Sequence, residues 1–106
     1  MGHFVHSCRR DLDITYIVFN NENYALTTGQ ASPTTPVGAV TKTTPLGNLM
    51  APLDAVELAK HAGCSYAVHA IDTKFGELKE TIKAAISHKG FALIDVSQAC
   101  PSYKRW

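Results

Sequence analysis

No apolar run in this 106-residue chain approaches the roughly 20 residues that a membrane-spanning helix needs. The first ten residues, MGHFVHSCRR, place their charge after the apolar residues rather than before them, which excludes a signal peptide. Met1-Gly2 is followed by His6 where a myristoylation signal wants Ser or Thr. The three cysteines, Cys8, Cys64 and Cys100, leave an odd one and show no paired spacing, so a disulfide framework is not expected. A net charge of +1 gives no electrostatic case for nucleic acid or an anionic membrane. Cytoplasm is the default compartment.

What is present is ordinary globular composition, 45% apolar and 18% charged. The length holds one domain, able to bury roughly two-thirds of its unfolded surface. Residues 3–10 read as a short helix with Phe4, Val5 and Cys8 on its apolar side. Arg9 and Arg10 suit its C-terminal end, where the helix dipole favours positive charge. Residues 14–19 (ITYIVF) are continuously apolar, as in a strand covered on both faces of a parallel sheet. Pro52 suits the first position of a second helix with Leu53, Val56, Leu58, Ala59 and Ala62 on its apolar side, stopped at Gly63. Residues 64–70 (CSYAVHA) read as a strand. Asp72 or Thr73 can cap a third helix whose stripe, Phe75, Leu78, Ile82, Ala85 and Ile86, is expected in the core, with Gly90 at its end. Residues 91–97 (FALIDVS) make a last strand. The order α–β–loop–α–β–α–β predicts an α/β fold, a layered parallel sheet with right-handed crossovers. A first helix with no strand before it suggests the second half of something larger.

Residues 20–51 have no sustained period. They hold seven threonines, three prolines, three glycines and four asparagines. A structureless loop of this length is usually functional or disordered. It follows the C-terminal end of a strand, and in open α/β sheets ligands sit outside those ends. The amide oxygens of Asn20, Asn21 and Asn23 suit a hard cation such as magnesium, and threonine hydroxyls and loop N–H groups suit phosphate. Apart from Glu22 the stretch has no carboxylate, so a complete site needs an acidic ligand from elsewhere. The same composition also fits a turn built by asparagines and capped by threonines. Thr34-Thr35-Pro36-Val37-Gly38 recurs nine residues later as Thr43-Thr44-Pro45-Leu46-Gly47, which suggests two similar turns rather than a solenoid.

The string from Phe19 to Pro36, FNNENYALTTGQASPTTP, resembles a signature of the beta subunits of 2-oxoacid:ferredoxin oxidoreductases, roughly N-N-x-x-Y-G-[LM]-T-x-G-Q-x-S-P-T-[TS]. The preceding HFVHSCRRDLDIT and the closing Val96-Ser97-Gln98-Ala99-Cys100-Pro101 are similar to flanking segments of the same family. The resemblance covers essentially the whole chain, as the C-terminal part (residues 1–106) of a thiamine-diphosphate-binding domain. It implies oxidative decarboxylation of a 2-oxoacid, of the 2-oxoglutarate-like branch, to acyl-coenzyme A with electrons passed to ferredoxin. The implied cofactors are thiamine diphosphate, magnesium and an iron–sulfur cluster. The implied partners are an alpha subunit, in some members gamma and delta subunits, and ferredoxin.

Residue by residue, the resemblance implies magnesium on the side-chain oxygen of Asn21 and the backbone carbonyl of Asn23. Tyr24, Leu26 and Thr27 line the cofactor, Gln30 and Ser32 continue the wall near the substrate, and Cys100 is a cluster ligand. The chain departs from the pattern at Ala25, where Gly is usual and a left-handed backbone would be excluded. It departs again at Thr28, where members often have Lys or Gly. The family's acidic GDGD segment and Cys-x-x-Cys ligands are not in this sequence. The chain is therefore expected to be inactive alone.

Other residues read blandly. His3 and His6 can share a helix face but lack a second pair to complete a metal site. Cys64 reads as a small buried hydrophobe. His61, His69 and His88 have no nucleophile elbow to serve. The alternative function is a small non-catalytic α/β binding module, a degenerate remnant of the same family. Another thiamine-dependent decarboxylase or synthase is disfavoured by the T-x-G-Q-x-S-P-T run.

Overall fold

The computed structural model describes residues 2–100 and 102. Pro101, the last residue of the closing similarity, and Met1 lie outside the described residues. Two compact units form, one from Met1–Phe19 with Ala55–Ser97, the other from Asn20–Asp54 with Gln98–Trp106.

The first unit is the α/β layer structure. Helix α1 (Gly2–Arg10), strand β1 (Thr15–Asn20), helix α2 (Ala55–His61), strand β4 (Tyr66–Ile71), helix α3 (Phe75–Ser87) and strand β5 (Ala92–Ser97) follow in chain order, with the short strands β2 (Asn23–Tyr24) and β3 (Gln30–Ala31) in the other unit. The sheet order is β1-β5-β4. β4 and β5 pair in parallel from Tyr66↔Ala92 to Ile71↔Ser97. Ala92 N–H donates to Ile14 O and Gln98 N–H to Asn20 O, a constant offset that makes β1 and β5 parallel as well.

Alternation along β5 divides the core. Phe91 and Leu93 face α1 and α2 and pack with Phe4, Cys8, Ala55, Val56 and Ala59. Ala92, Ile94 and Val96 face the other way and pack with Ala85, Leu78 and Ile82 of α3. Helices thus cover both faces of β5, which explains its unbroken burial from Ala92 to Val96. Phe4, Tyr16 and Phe91 form an aromatic group with ring centroids 5.4 to 6.1 Å apart.

Four expectations are corrected. Residues 14–19 were expected to form a strand covered on both faces; β1 lies at the sheet edge, and Phe19 is 67% exposed. The second helix starts at Ala55, not Pro52; the residues before it are irregular and tied to the loop by Leu53 N–H donating to Pro33 O. The third helix has Lys74 at its N-cap, with no side-chain cap bond, rather than Asp72 or Thr73. Of its stripe, Leu78, Ile82 and Ala85 pack on the sheet, whereas Phe75 and Ile86 are 79% and 67% exposed. Phe75 lies in the first turn of α3 and Ile86 in its last, at the two ends of the packed stretch.

Gly63 ends α2 at φ +100° as its composition predicts. Cys64 packs against the core, its thiol donating to Tyr66 O at 3.0 Å. Cys8 is fully buried, and burial, followed by the neighbouring Cys64, pushes its thiol up to about 11. The three cysteines form no disulfide. Among the described residues no helix is long and apolar enough to cross a membrane.

Candidate functional site

The second unit is a loop organised by its own polar side chains. At its entry Asn20 Oδ1 accepts from the Glu22 N–H (3.2 Å) and the Thr34 hydroxyl (2.8 Å). The Asn23 amide donates through Nδ2 to Asn21 O at 2.9 Å, and the Asn23 N–H makes a long 3.4 Å contact with Asn21 Oδ1. These asparagine bonds fold the backbone back on itself, with Glu22 at φ +63°.

β2 and β3 then pair antiparallel, Asn23 opposite Ala31 and Tyr24 opposite Gln30. Their connection is closed by Gly29 N–H to Tyr24 O (3.0 Å) and Thr28 N–H to Ala25 O (3.1 Å). Its left-handed residues are Thr28 and Gly29, at φ +84° and +101°, so Ala25 is tolerated where the resembling family has glycine. Thr27 and Gln30 lock together, the Thr27 hydroxyl donating to Gln30 Oε1 and Gln30 Nε2 to Thr27 O, both at 2.6 Å.

The repeated segment does form two similar turns. The second threonine of each copy makes the same reciprocal pair. Thr35 N–H donates to Ser32 O while Ser32 N–H donates to Thr35 Oγ1. Thr44 N–H donates to Thr41 O while Thr41 N–H donates to Thr44 Oγ1. The copies meet at their glycines, where a Cβ on Gly47 would sit 3.2 Å from Gly38 O. Asn48 joins them, its Nδ2 donating to Thr35 O, Pro36 O and Met50 O.

Two of the clefts in this unit are lined by residues singled out in the sequence. One, of about 400 Å³, is lined by Asn21, Ala25, Leu26, Gln98, Ala99, Cys100 and Ser102. Asn21, Leu26 and Cys100, three of the residues singled out in the sequence, are thus brought together although almost 80 positions separate the first from the last. The other cleft, of about 540 Å³, is lined by Tyr24, Ser32, Pro33, Thr44, Asn48 and Met50 among others. Tyr24 and Ser32 belong to this second cleft. Thr27 and Gln30 line neither and hold the turn between them. Asn23 is 5% exposed, and its Oδ1 has no hydrogen-bond partner among the described residues. An orphaned buried acceptor costs of order 1–3 kcal/mol and marks a place where a donor or cation is wanted.

Thr35, Lys42 and Asn48 were not singled out by sequence reasoning. The nine-residue repeat was the available signal for Thr35, and nothing local marks the other two. Among the described residues no group of three or more His, Cys, Asp or Glu side chains could hold a metal ion, which applies to His3 and His6 as well. The hard oxygens of Asn21 and Asn23 are what this unit offers a cation. Among the described residues Asn21 Oδ1 is engaged only by the 3.4 Å contact, and both residues are oxygen donors of the type magnesium takes. They fit as the neutral part of a magnesium site, and the cleft beside Asn21 and Leu26 fits a cofactor. Cys100 is 8% exposed, and a single thiol does not make a cluster site.

The chain is similar to several known proteins. A 43% identical relative over 104 residues is the 2-oxoglutarate synthase subunit KorB of Archaeoglobus fulgidus, matched over 98% of this chain and 39% of its own length. The 2-oxoacid:ferredoxin oxidoreductase subunit beta of Saccharolobus solfataricus is 46% identical over 103 residues, 97% of this chain and 34% of that protein. The chain therefore spans little more than a third of the curated relatives it matches. Among solved structures, the 2-oxoglutarate:ferredoxin oxidoreductase from Magnetococcus marinus, with 2-oxoglutarate, coenzyme A and succinyl-CoA bound, superposes with a TM-score of 0.95 at 33% identity, covering 98% of this chain and 36% of that one. Residues 1–96 match the family model described as thiamine pyrophosphate enzyme, C-terminal TPP binding domain, and the chain belongs to that family.

Proposed function

We propose that this chain forms the C-terminal, magnesium-holding part of the thiamine-diphosphate domain in the catalytic beta subunit of a 2-oxoacid:ferredoxin oxidoreductase acting on a 2-oxoglutarate-type substrate. The observation that supports this most is the convergence of Asn21 and Leu26 with Cys100 on one cleft. Similarity to KorB and beta subunits over nearly the whole chain supports the same reading.

Asn21 Oδ1 and the Asn23 carbonyl would hold magnesium, which anchors the diphosphate. Thiamine diphosphate, when bound, supplies the electron sink that decarboxylation of a 2-oxoacid requires. The chain's own residues shape that site. The resemblance assigns Tyr24, Leu26 and Thr27 to the cofactor and Gln30 and Ser32 to the substrate side; of these, Leu26 shares the cleft of Asn21, and the Thr27–Gln30 pair keeps the turn closed. Cys100 would contribute one thiolate to an iron–sulfur cluster whose other ligands come from outside these residues, so no electron-transfer step is assigned within this chain. The expected partners are an alpha subunit, with gamma and delta subunits in some assemblies, ferredoxin and coenzyme A, in the cytoplasm.

The test is reduction of a low-potential one-electron acceptor by the assembled enzyme with 2-oxoglutarate, coenzyme A, thiamine diphosphate and magnesium. Turnover that requires the cofactor and falls at least tenfold with Asn21→Ala is expected. Thiamine-independent turnover, or none with any 2-oxoacid, rejects the proposal. Calorimetry on the 106-residue chain separates the non-catalytic alternative. Tight stoichiometric binding of thiamine diphosphate with magnesium would show a self-sufficient module rather than half of a site.

A further inference from the structure

The cleft of about 400 Å³ beside Asn21 brings no positive charge to a ligand. Among the described residues no lysine, arginine or histidine lines it. Lys42, the only lysine or arginine between Asn20 and Asp54, donates instead to Thr28 Oγ1 at 2.6 Å and is not part of the wall. Ala25, Leu26 and Ala99 give the wall apolar surface. A multiply charged anion held there without a counter-cation would be unpaired, at high cost. Such a cleft takes an anion whose charge a metal has already neutralised. The remaining anion oxygens then need neutral donors from the wall.

Gln98 is placed to be such a donor. It directly follows β5, and its N–H donates to Asn20 O at 3.0 Å, which fixes its backbone beside the residue preceding Asn21. It is half-buried, and its side-chain amide makes no hydrogen bond with another described residue. Other amides of this unit are committed. Asn48 Nδ2 donates to three carbonyls, and Gln30 Nε2 donates to Thr27 O. Ser102, the other hydroxyl on the cleft wall, is exposed and already solvated.

We propose that Gln98 is a further ligand-binding residue of this cleft, its Nε2 donating to an oxygen of a metal-bound diphosphate. This rests on the functional reading above and adds a contact to that site, one for which the sequence resemblance assigned Gln98 no role. A glutamine amide carries two N–H donors and no charge. It therefore holds an anion oxygen without drawing the cation away from Asn21.

The test is calorimetric titration of the cofactor-depleted assembled enzyme with thiamine diphosphate at fixed magnesium, with thermal denaturation of the same depleted proteins. Gln98→Met keeps the length, removes the donors and should raise Kd about ten- to thirtyfold, as loss of one hydrogen bond to a charged group implies. Gln98→Glu keeps the shape, replaces the donor with an anion and should raise Kd further, by about a hundredfold or more. Neither should move the melting midpoint of the depleted enzyme by more than about 2 °C. A Kd within about twofold of wild type in Gln98→Met overturns the assignment. So does a Gln98→Glu enzyme that binds as tightly as wild type, because the residue would then act through its oxygen. Equal losses in both variants with a lowered midpoint overturn it too, because the role would then be structural. Depleted wild-type enzyme that binds no thiamine diphosphate at any magnesium concentration overturns the functional reading itself. That outcome is distinct from a wild type and variants that all bind equally well.

Discussion

The Asp11 carboxylate accepts a 2.9 Å hydrogen bond from the Phe91 N–H, 80 positions away in the chain. The same oxygen accepts from the Ser65 hydroxyl at 3.1 Å, and Ser65 in turn lies 2.7 Å from His88 Nε2. One side chain thus ties the end of α1 to the turns that enter β4 and β5. A Cβ on Gly90 would stand 2.7 Å from Asp11 Oδ1, and Gly90 is at φ +113°. Asp11→Ala should cost about 1–3 kcal/mol in urea unfolding, the range for a hydrogen bond to a charged group. Gly90→Ala should cost at least as much, because clash and backbone strain add. A change below about 0.5 kcal/mol in both would show that the tie contributes nothing.

Leu93 is fully buried on the central strand, between α1 and α2. Leu93→Ala should destabilise the first unit by about 2–5 kcal/mol, the transfer and cavity cost of such a truncation. Truncating the exposed Phe75 to Ala should cost under about 1 kcal/mol, although its sequence stripe was expected in the core. Thermal denaturation of the two variants distinguishes them.

Thr35 is fully buried. Its hydroxyl donates to Glu22 O at 2.6 Å and accepts from Ser32 N–H at 2.8 Å. Thr35→Val keeps the shape and removes both bonds, leaving a buried carbonyl and amide unsatisfied at roughly 1–3 kcal/mol each. Hydrogen exchange should quicken across residues 20–36 and leave β4 and β5 protected. Uniform quickening would mean that the loop is not held by this bond.

The Cys8 thiol, pushed up to about 11 from 9.0, makes stability depend on alkaline pH. The folded state keeps its proton where the unfolded thiol has begun to lose it. The associated stabilisation is therefore complete below about pH 9 and is lost as pH rises toward 11. Its extent is up to about 2–3 kcal/mol for a shift of this size. Urea midpoints of wild type and Cys8→Ala across that range test it. The wild-type midpoint should fall more steeply with pH, and parallel curves would show that Cys8 does not titrate differently on folding.

The element order was legible in the sequence because each element carries a local signal. Leu78, Ile82 and Ala85 repeat at helical spacing, Gly63 closes α2, and residues 91–94 are a continuous apolar run. The long loop was legible by its lack of period, and its signature string marked Asn21, Asn23 and their neighbours before any contact was known. What failed were features set by distant partners. Pro52 suits a helix start, yet the helix starts at Ala55 and the Leu53 amide is tied to Pro33. The run ITYIVF matches a covered strand, yet β1 lies at the edge because β5 takes the centre.

The same boundary runs through the candidate site. Sequence by itself determined which residue types are present and, through alternation and helical spacing, the order of strands and helices around them. Tertiary structure alone decided that Asn21, Leu26 and Cys100 share a cleft, that Asn48 binds three carbonyls, and that Lys42 reaches Thr28. Hydrophobic periodicity is a property of neighbours along the chain. Hydrogen bonds between residues 14 or 80 positions apart form only after the backbone has closed those distances.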